Sequence, residues 1–291
     1  MQRQQSGRPA EEQAAMSRND AMIDAVRHHY NTSIFDYEDR RLNEEGPVEY
    51  AMTLRYLDHW IAAGSVVADI GVGVGHYARH LAQRQCQIHL VDIAERLLNA
   101  ATAQLTAAGL EPQIIGVTLA SATDLRELAD NTFDAVLMLG PLYHLCTLED
   151  RHRAVREAQR MLKPGGVLFA AGINRVAYLK ERLRLKPEGV SALGDFHRGY
   201  LEHGNLDPDH APPMGFAHLT TVAEFRALFH DAFDEVLLAG VESFTGHHQK
   251  HLHDLPEADR QAWLELVAAT AATAEGLGST EHFLFVGRKK P

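Results

Sequence analysis

Short apolar runs and amphipathic stretches take turns along this chain. Strand-like runs occur at Val66-Val67-Ala68-Asp69-Ile70, at Ile88-His89-Leu90-Val91-Asp92, and over residues 113–119 and 133–140. Three more lie at 167–171, 235–241 and 281–287. Their length and β-branched content suit strands. Helical periodicity fills the gaps, over 76–85, 94–108, 151–161, 220–230 and 257–275. Gly109 closes the second of these helices, and Thr221 with Glu224 three residues on has the form of a capping box for the fourth. Regular strand–helix alternation predicts an α/β fold with helices on both faces of a mostly parallel sheet. The run 133–140 is apolar almost throughout, which places it centrally.

The flanks read differently. Residues 1–19 are polar and predict a disordered tail, followed by a short helix over 20–30. Residues 31–40 mix aromatic and charged side chains and read as irregular, and 47–62 form a helix with Tyr50, Leu54, Leu57 and Ile61 on one face. Together, residues 20–63 have the character of a lid. From 172 to 219 the pattern loosens: 174–186 is helical, and glycines and prolines break up the rest. A long insertion after the fifth strand sits where ligands bind in open parallel sheets, so it reads as a substrate cover. No repeat or linker divides residues 20–291, which form one domain.

The net charge of −11 argues against a nucleic-acid partner, which would need a basic surface. Cys86 and Cys146 show neither metal spacing nor a disulfide framework. With no long apolar run and no signal-peptide core, a soluble cytoplasmic protein without membrane contact is expected. Among 18 histidines, His247-His248 and His251-x-His253 lack the spacing of a metal site, and no metal is expected.

The chemistry starts at Asp69-Ile70-Gly71-Val72-Gly73-Val74-Gly75, a strand end running through three glycines into a helix. Such a turn lets a ligand approach the backbone and meet free N–H groups. The dinucleotide fingerprint places its third glycine at position six, where this chain has His76. An acid two residues before the first glycine suits a cationic ligand better than a pyrophosphate. Here the chain resembles the class I S-adenosylmethionine-dependent methyltransferases, whose first motif reads acid-x-Gly-x-Gly-x-Gly. Two later landmarks agree: the loop Ala120-Ser121-Ala122-Thr123-Asp124-Leu125, and Arg160-Met161-Leu162-Lys163-Pro164-Gly165-Gly166 before a hydrophobic strand. The resemblance implies a Rossmann-like sheet of seven strands, the last antiparallel, with S-adenosylmethionine as cofactor and S-adenosylhomocysteine as its product. It implies donor contacts from Asp69, Gly71, Gly73, Gly75, Asp92, Ser121, Ala122, Leu139 and Gly140. Asp92 stands 21 residues past Gly71, where a carboxylate meets ribose hydroxyls. Ser121 departs from the acid usual in the family at the adenine.

Past the fourth strand, Gly140-Pro141-Leu142-Tyr143-His144 places a hydroxyl and an imidazole where a methyl acceptor should lie. His144 is the candidate base, with a pKa ordinarily near neutrality and a rate expected to rise through it. Tyr143 is its catalytic companion. Tyr30, Phe35, Tyr37, Asn174 and His218 are expected against the substrate. DNA amino-methyltransferases carry Asn/Asp-Pro-Pro-Tyr/Phe near this point, which Leu139-Gly140-Pro141-Leu142-Tyr143 does not reproduce. The sequence therefore suggests methylation of a small metabolite or natural product, on N, O, S or C. A protein or RNA methyltransferase and a non-catalytic cofactor-binding regulator are the alternatives. Oligomeric state is left open.

Overall fold

The computed structural model describes residues 10–32, 35–211, 214–252 and 254–291. It opens with helix α1 (Ala10–Thr32), then α2 (Phe35–Arg40), a π-helical turn (Arg41–Glu45) and α3 (Pro47–Trp60). Helix α1 thus continues back through residues 10–19, expected to be disordered; their Ala, Glu, Gln and Met content favours helix despite its polarity. Part of the segment read as irregular is the helix α2. Helix α3 buries Val48, Glu49, Met52, Thr53 and Leu57, so Tyr50 and Leu54 lie at the edge of the expected face. Its first amides, on Val48 and Glu49, donate to Gln249 Oε1 from the far end of the chain. That contact satisfies donors which a helix cannot bond internally.

The central part alternates as its pattern requires: β1 (Val66–Ile70), α4 (His76–Gln83), β2 (Gln87–Asp92), α5 (Glu95–Ala107), β3 (Ile114–Leu119), β4 (Phe133–Met138), α6 (Leu148–Met161) and β5 (Leu162–Ile173). The Lys-Pro-Gly-Gly segment expected to precede the fifth strand is a register irregularity within β5, between the pairs Phe133–Leu162 and Ala135–Val167. The cover follows as α7 (Arg175–Leu185), α8 (Gly194–His203), β6 (Asn205–Leu206) and β7 (Ala217–His218). It is more regular than its glycines and prolines suggest, because Ile173, Tyr178, Tyr200, Leu206, Ala217 and Leu219 give it an apolar cluster of its own.

The chain ends with α9 (Val222–Phe229), β8 (Phe233–Gly240), α10 (Glu257–Thr270), α11 (Ala274–Ser279) and β9 (His282–Lys289). The capping box at Thr221 and Glu224 is formed. The single helix read over 257–275 is two, since the Thr273 hydroxyl accepts from Gly276 N and starts a new one. Sheet order is β3-β2-β1-β4-β5-β9-β8, seven strands with β9 antiparallel to both neighbours. One apolar face packs on α6 and α9, the other on α3, α4 and α5. The order reverses between β1 and β4: β2 and β3 lie on one side of β1, β4 and β5 on the other, and the carboxyl ends of the parallel β1 and β4 lie side by side there. A ligand crevice opens at such a reversal.

Candidate active site

Over that reversal lies an open cavity of about 1030 Å³. Its floor is the glycine loop, residues 71–74, and its sides are Asp92, Ser121, Ala122 and residues 139–141, 143 and 144. Val26 and Tyr30 of α1, with Glu38 and Arg41 of the following turns, cover it. Backbone geometry explains the first two glycines. Gly71 has φ +75°, and a Cβ there would sit 2.7 Å from Pro141 Cδ, so β1 and β4 approach only because it has none. Gly73 has φ +57° with nothing within 4 Å of a Cβ position. A side chain there would be strained, while the open space lies beside the cavity. Gly75 packs on Ala101 of α5.

Asp92 ties this loop to β2. Its Oδ2 accepts from Gly73 N at 3.0 Å and its Oδ1 from Ala94 N at 2.8 Å. Burial pushes the carboxyl up to about 6, against the pull of those amides. Asp69 lies behind the cavity wall rather than on it, 3% exposed, and its Oδ2 has no hydrogen-bond partner among the described residues. Burial, and then the charge of Asp92, push it up to about 7. Ser121 Oγ shares a 2.9 Å hydrogen bond with Thr123 Oγ1.

At the end of β4, a 3₁₀ turn over Pro141–His144 presents two polar groups. His144 Nδ1 lies 3.0 Å from the carbonyl of Phe216 in the cover, and its Nε2 lies 2.7 Å from the Tyr30 hydroxyl in α1. A carbonyl only accepts, so Nδ1 carries the proton, and the lone pair of Nε2 accepts from Tyr30. One imidazole thereby joins lid to cover. Burial holds its pKa down at about 4, which replaces the expectation of a near-neutral base. Tyr143 OH donates weakly to Leu139 O at 3.4 Å, and burial raises its pKa.

A family model described as a methyltransferase domain matches residues 68–170. A protein of Encephalitozoon cuniculi that bears the name methyltransferase is 30% identical over 216 residues, 72% of this chain and 92% of that protein. The chain belongs to the class I S-adenosylmethionine-dependent methyltransferases. Ubiquinone biosynthesis O-methyltransferase of Xanthomonas oryzae pv. oryzae is 31% identical over 143 residues, 46% of this methyltransferase. The chain spans only 57% of that relative's length. Two solved structures share the fold. One is the 1,6-didemethyltoxoflavin-N1-methyltransferase of Burkholderia thailandensis, with 1,6-didemethyltoxoflavin and S-adenosylhomocysteine bound (TM-score 0.57, 14% identity, 99% of this chain and 93% of that one). The other is a methyltransferase of Methanosarcina mazei (TM-score 0.53, 20% identity, 80% and 96%).

The methyltransferase's own residues fit its cofactor. Two neighbouring buried carboxylates, one with an unsatisfied oxygen, favour a cationic ligand. Asp92 uses two of its acceptor positions on amides and keeps others for hydroxyls. Of the residues expected at the substrate, Tyr30 lines the cavity, whereas three side chains lie elsewhere or are otherwise engaged. Tyr37 is 37% exposed and donates to Glu45, because α2 turns it outward. Asn174 caps α7 through Val176 N and donates to the carbonyls of Leu277 and Thr280, which uses up its amide. His218 lines a second cavity, on the far side of Tyr143. The backbone of Phe35 belongs to α2, but its side chain is outside the described residues.

Sequence reasoning missed Glu38 and Arg41, whose only signal was a mixed charged segment. Arg41 bonds Glu49 at 2.8 Å and also reaches Glu38. Glu49 lies 3.6 Å from His282 Nδ1, which is 2.5 Å from the fully buried Glu242. These carboxylates outweigh burial and push His282 up to about 9. Glu49, Glu242 and His282 also have the spacing of a metal site, where an ion would have to displace the imidazole proton. The network ties the lid to the ends of β8 and β9. His247, by its side chain, and His253 lie outside the described residues.

Proposed function

We propose that this methyltransferase modifies a small molecule, and that the accepting atom is a hydroxyl oxygen. The carrying observation is the pair of hydrogen bonds at His144: they tie lid to cover beside the cavity, so an acceptor must fit beneath that tie. The likeness to ubiquinone biosynthesis O-methyltransferases supports an oxygen acceptor, and the toxoflavin methyltransferase supports the fold's use on a small ring compound. Two free cysteines support a cytoplasmic setting, and no helix among the described residues is long and apolar enough to cross a membrane.

When bound, S-adenosylmethionine supplies a methyl carbon already activated by its sulfonium. The protein's part is to align the acceptor, exclude water and receive a proton. Neutral His144 accepts at Nε2 from the Tyr30 hydroxyl; an acceptor hydroxyl donating to the Tyr30 oxygen would pass its proton to Nε2 through Tyr30, with the lid contact kept. With its pKa held near 4, the imidazole is too weak to ionise a resting hydroxyl. The imidazole would instead receive the proton as the acceptor oxygen takes the methyl from the sulfonium sulfur and turns acidic.

The test is incubation with methyl-labelled S-adenosylmethionine and three fractions of a host extract: small molecules, protein and RNA. Label is expected in the small-molecule fraction as an O-methyl product. Label in protein or RNA alone would contradict the proposal.

A further inference from the structure

Beyond Tyr143, away from the glycine loop, lies the second cavity, about 620 Å³, between α6, α9 and the cover. Its polar lining includes Arg151, His203, His218 and Glu224. Glu224 is already committed, being ion-paired to the buried Arg175 and accepting from Thr221 N. Arg151 is not. One Nη donates to the carbonyl of Leu145 at 2.6 Å, and no carboxylate lies within ion-pair distance of it among the described residues. No other hydrogen bond of its guanidinium is made among the described residues. The acids whose charge acts on it, Glu224 and Asp150, are ion-paired to Arg175 and Arg153 instead.

The two histidines add to this. His203 Nδ1 accepts from Asn205 N at 3.0 Å, which leaves its proton on Nε2 as a further donor. His218 Nδ1 is held by Asn205 Oδ1 at 2.8 Å. Burial, Arg151 and Arg175 together hold His218 down at about 3, the response expected of an imidazole in a positive field.

We propose that this second cavity is a carboxylate-binding subsite, with Arg151 as the charge partner and His203 as a second donor. Tyr143 lines both cavities, so an anion held at Arg151 sits one aromatic ring from the donor site. Resting on the small-molecule reading above, the carboxylate belongs to the methyl acceptor itself or to a separate small acid bound beside it.

The test uses the full-length protein saturated with S-adenosylhomocysteine and two probes of one shape, phenylacetate and phenylacetamide. Wild type should bind phenylacetate at least tenfold more tightly than the amide. Arg151→Gln should erase that preference, and Arg151→Lys, which keeps the charge, should restore most of it. Affinity for S-adenosylhomocysteine should be unchanged in all three, so a fault in the donor site would register separately. In the labelled-methyl assay, competitive inhibition by phenylacetate, lost in Arg151→Gln, assigns the subsite to the acceptor's own carboxylate. Non-competitive modulation with the same Arg151 dependence assigns it to a separate acid. Equal binding of the two probes, or a preference that survives Arg151→Gln, would overturn the proposal.

Discussion

Replacing Asp69 by Asn should make the ligand-free methyltransferase more stable and its donor binding worse. The unfolded carboxyl ionises near 3.8, while the folded one holds its proton to about 7. Below pH 4 both states are protonated and Asp69 contributes nothing. Between 4 and 7 the unfolded state has lost the proton and the native state keeps it, so stability falls as pH rises. Above 7 the penalty levels off at roughly 4 kcal/mol, from about 1.36 kcal/mol per pH unit over some three units. This is an upper figure, because the neighbouring Asp92 shares the shift. The amide of the variant removes the charge but still needs hydrogen-bond partners, at a cost of about 1–2 kcal/mol. The net expectation at pH 8 is a gain of about 2 kcal/mol, read by urea denaturation of ligand-free protein. At pH 4 the penalty is gone and only the amide's cost remains, so the variant should be about 1–2 kcal/mol less stable than wild type. S-adenosylmethionine binding, by calorimetry at pH 8, should weaken by at least tenfold, since one of two carboxylates beneath a cationic ligand is gone. An Asp69→Asn variant no more stable than wild type at pH 8, with the same pH dependence, would show that the buried carboxyl carries no such penalty.

Four other outcomes follow from the same geometry. His144→Ala should lower kcat by roughly 10²–10⁴-fold in the labelled-methyl assay, with S-adenosylhomocysteine affinity nearly unchanged. Between pH 5.5 and 8 the wild-type rate should show no inflection from His144, because its pKa lies near 4; a step near 6.5 that vanishes in His144→Ala would contradict this. Gly71→Ala should destabilise the fold by about 1–3 kcal/mol, as its Cβ collides with Pro141 and its φ is unfavourable; denaturant midpoints measure it. His282, held protonated to about 9 against an ordinary 6.5, contributes stability that is full below 6.5 and lost as pH rises through 9. That alkaline loss should be absent from melting curves of His282→Gln.

Most of the scaffold could be read from the chain because its determinants are local. β1, β2 and β4 announce themselves as apolar runs, and the Thr221–Glu224 box marks the start of α9 to the residue. That Asp92 ends β2 beside the glycine loop was legible from its distance to Gly71, a spacing set by one strand–helix–strand unit. What escaped depends on contacts distant in sequence. Tyr30 meets His144 across 114 positions, and the imidazole pKa follows from the burial that this meeting creates. Asn174 looked like a substrate ligand at a strand end, but the carbonyls that engage it are those of Leu277 and Thr280, in α11 and at its C-terminal cap. The order of the cover was hidden by its glycines, since the apolar cluster around Tyr178 and Tyr200 is assembled from α7, α8, β6 and β7 together.

The mechanism turns on the cavity over the glycine loop holding the methyl donor, with Asp92 as its carboxylate contact. The decisive check is calorimetric titration of S-adenosylhomocysteine into wild type and Asp92→Ala at pH 8, with Tyr37→Phe as an off-site control. Wild type and Tyr37→Phe should bind alike at one site, and a folded Asp92→Ala should lose about 1–3 kcal/mol, the scale of hydrogen bonds to a charged group. Asp92→Ala binding as tightly as wild type would place the donor somewhere else.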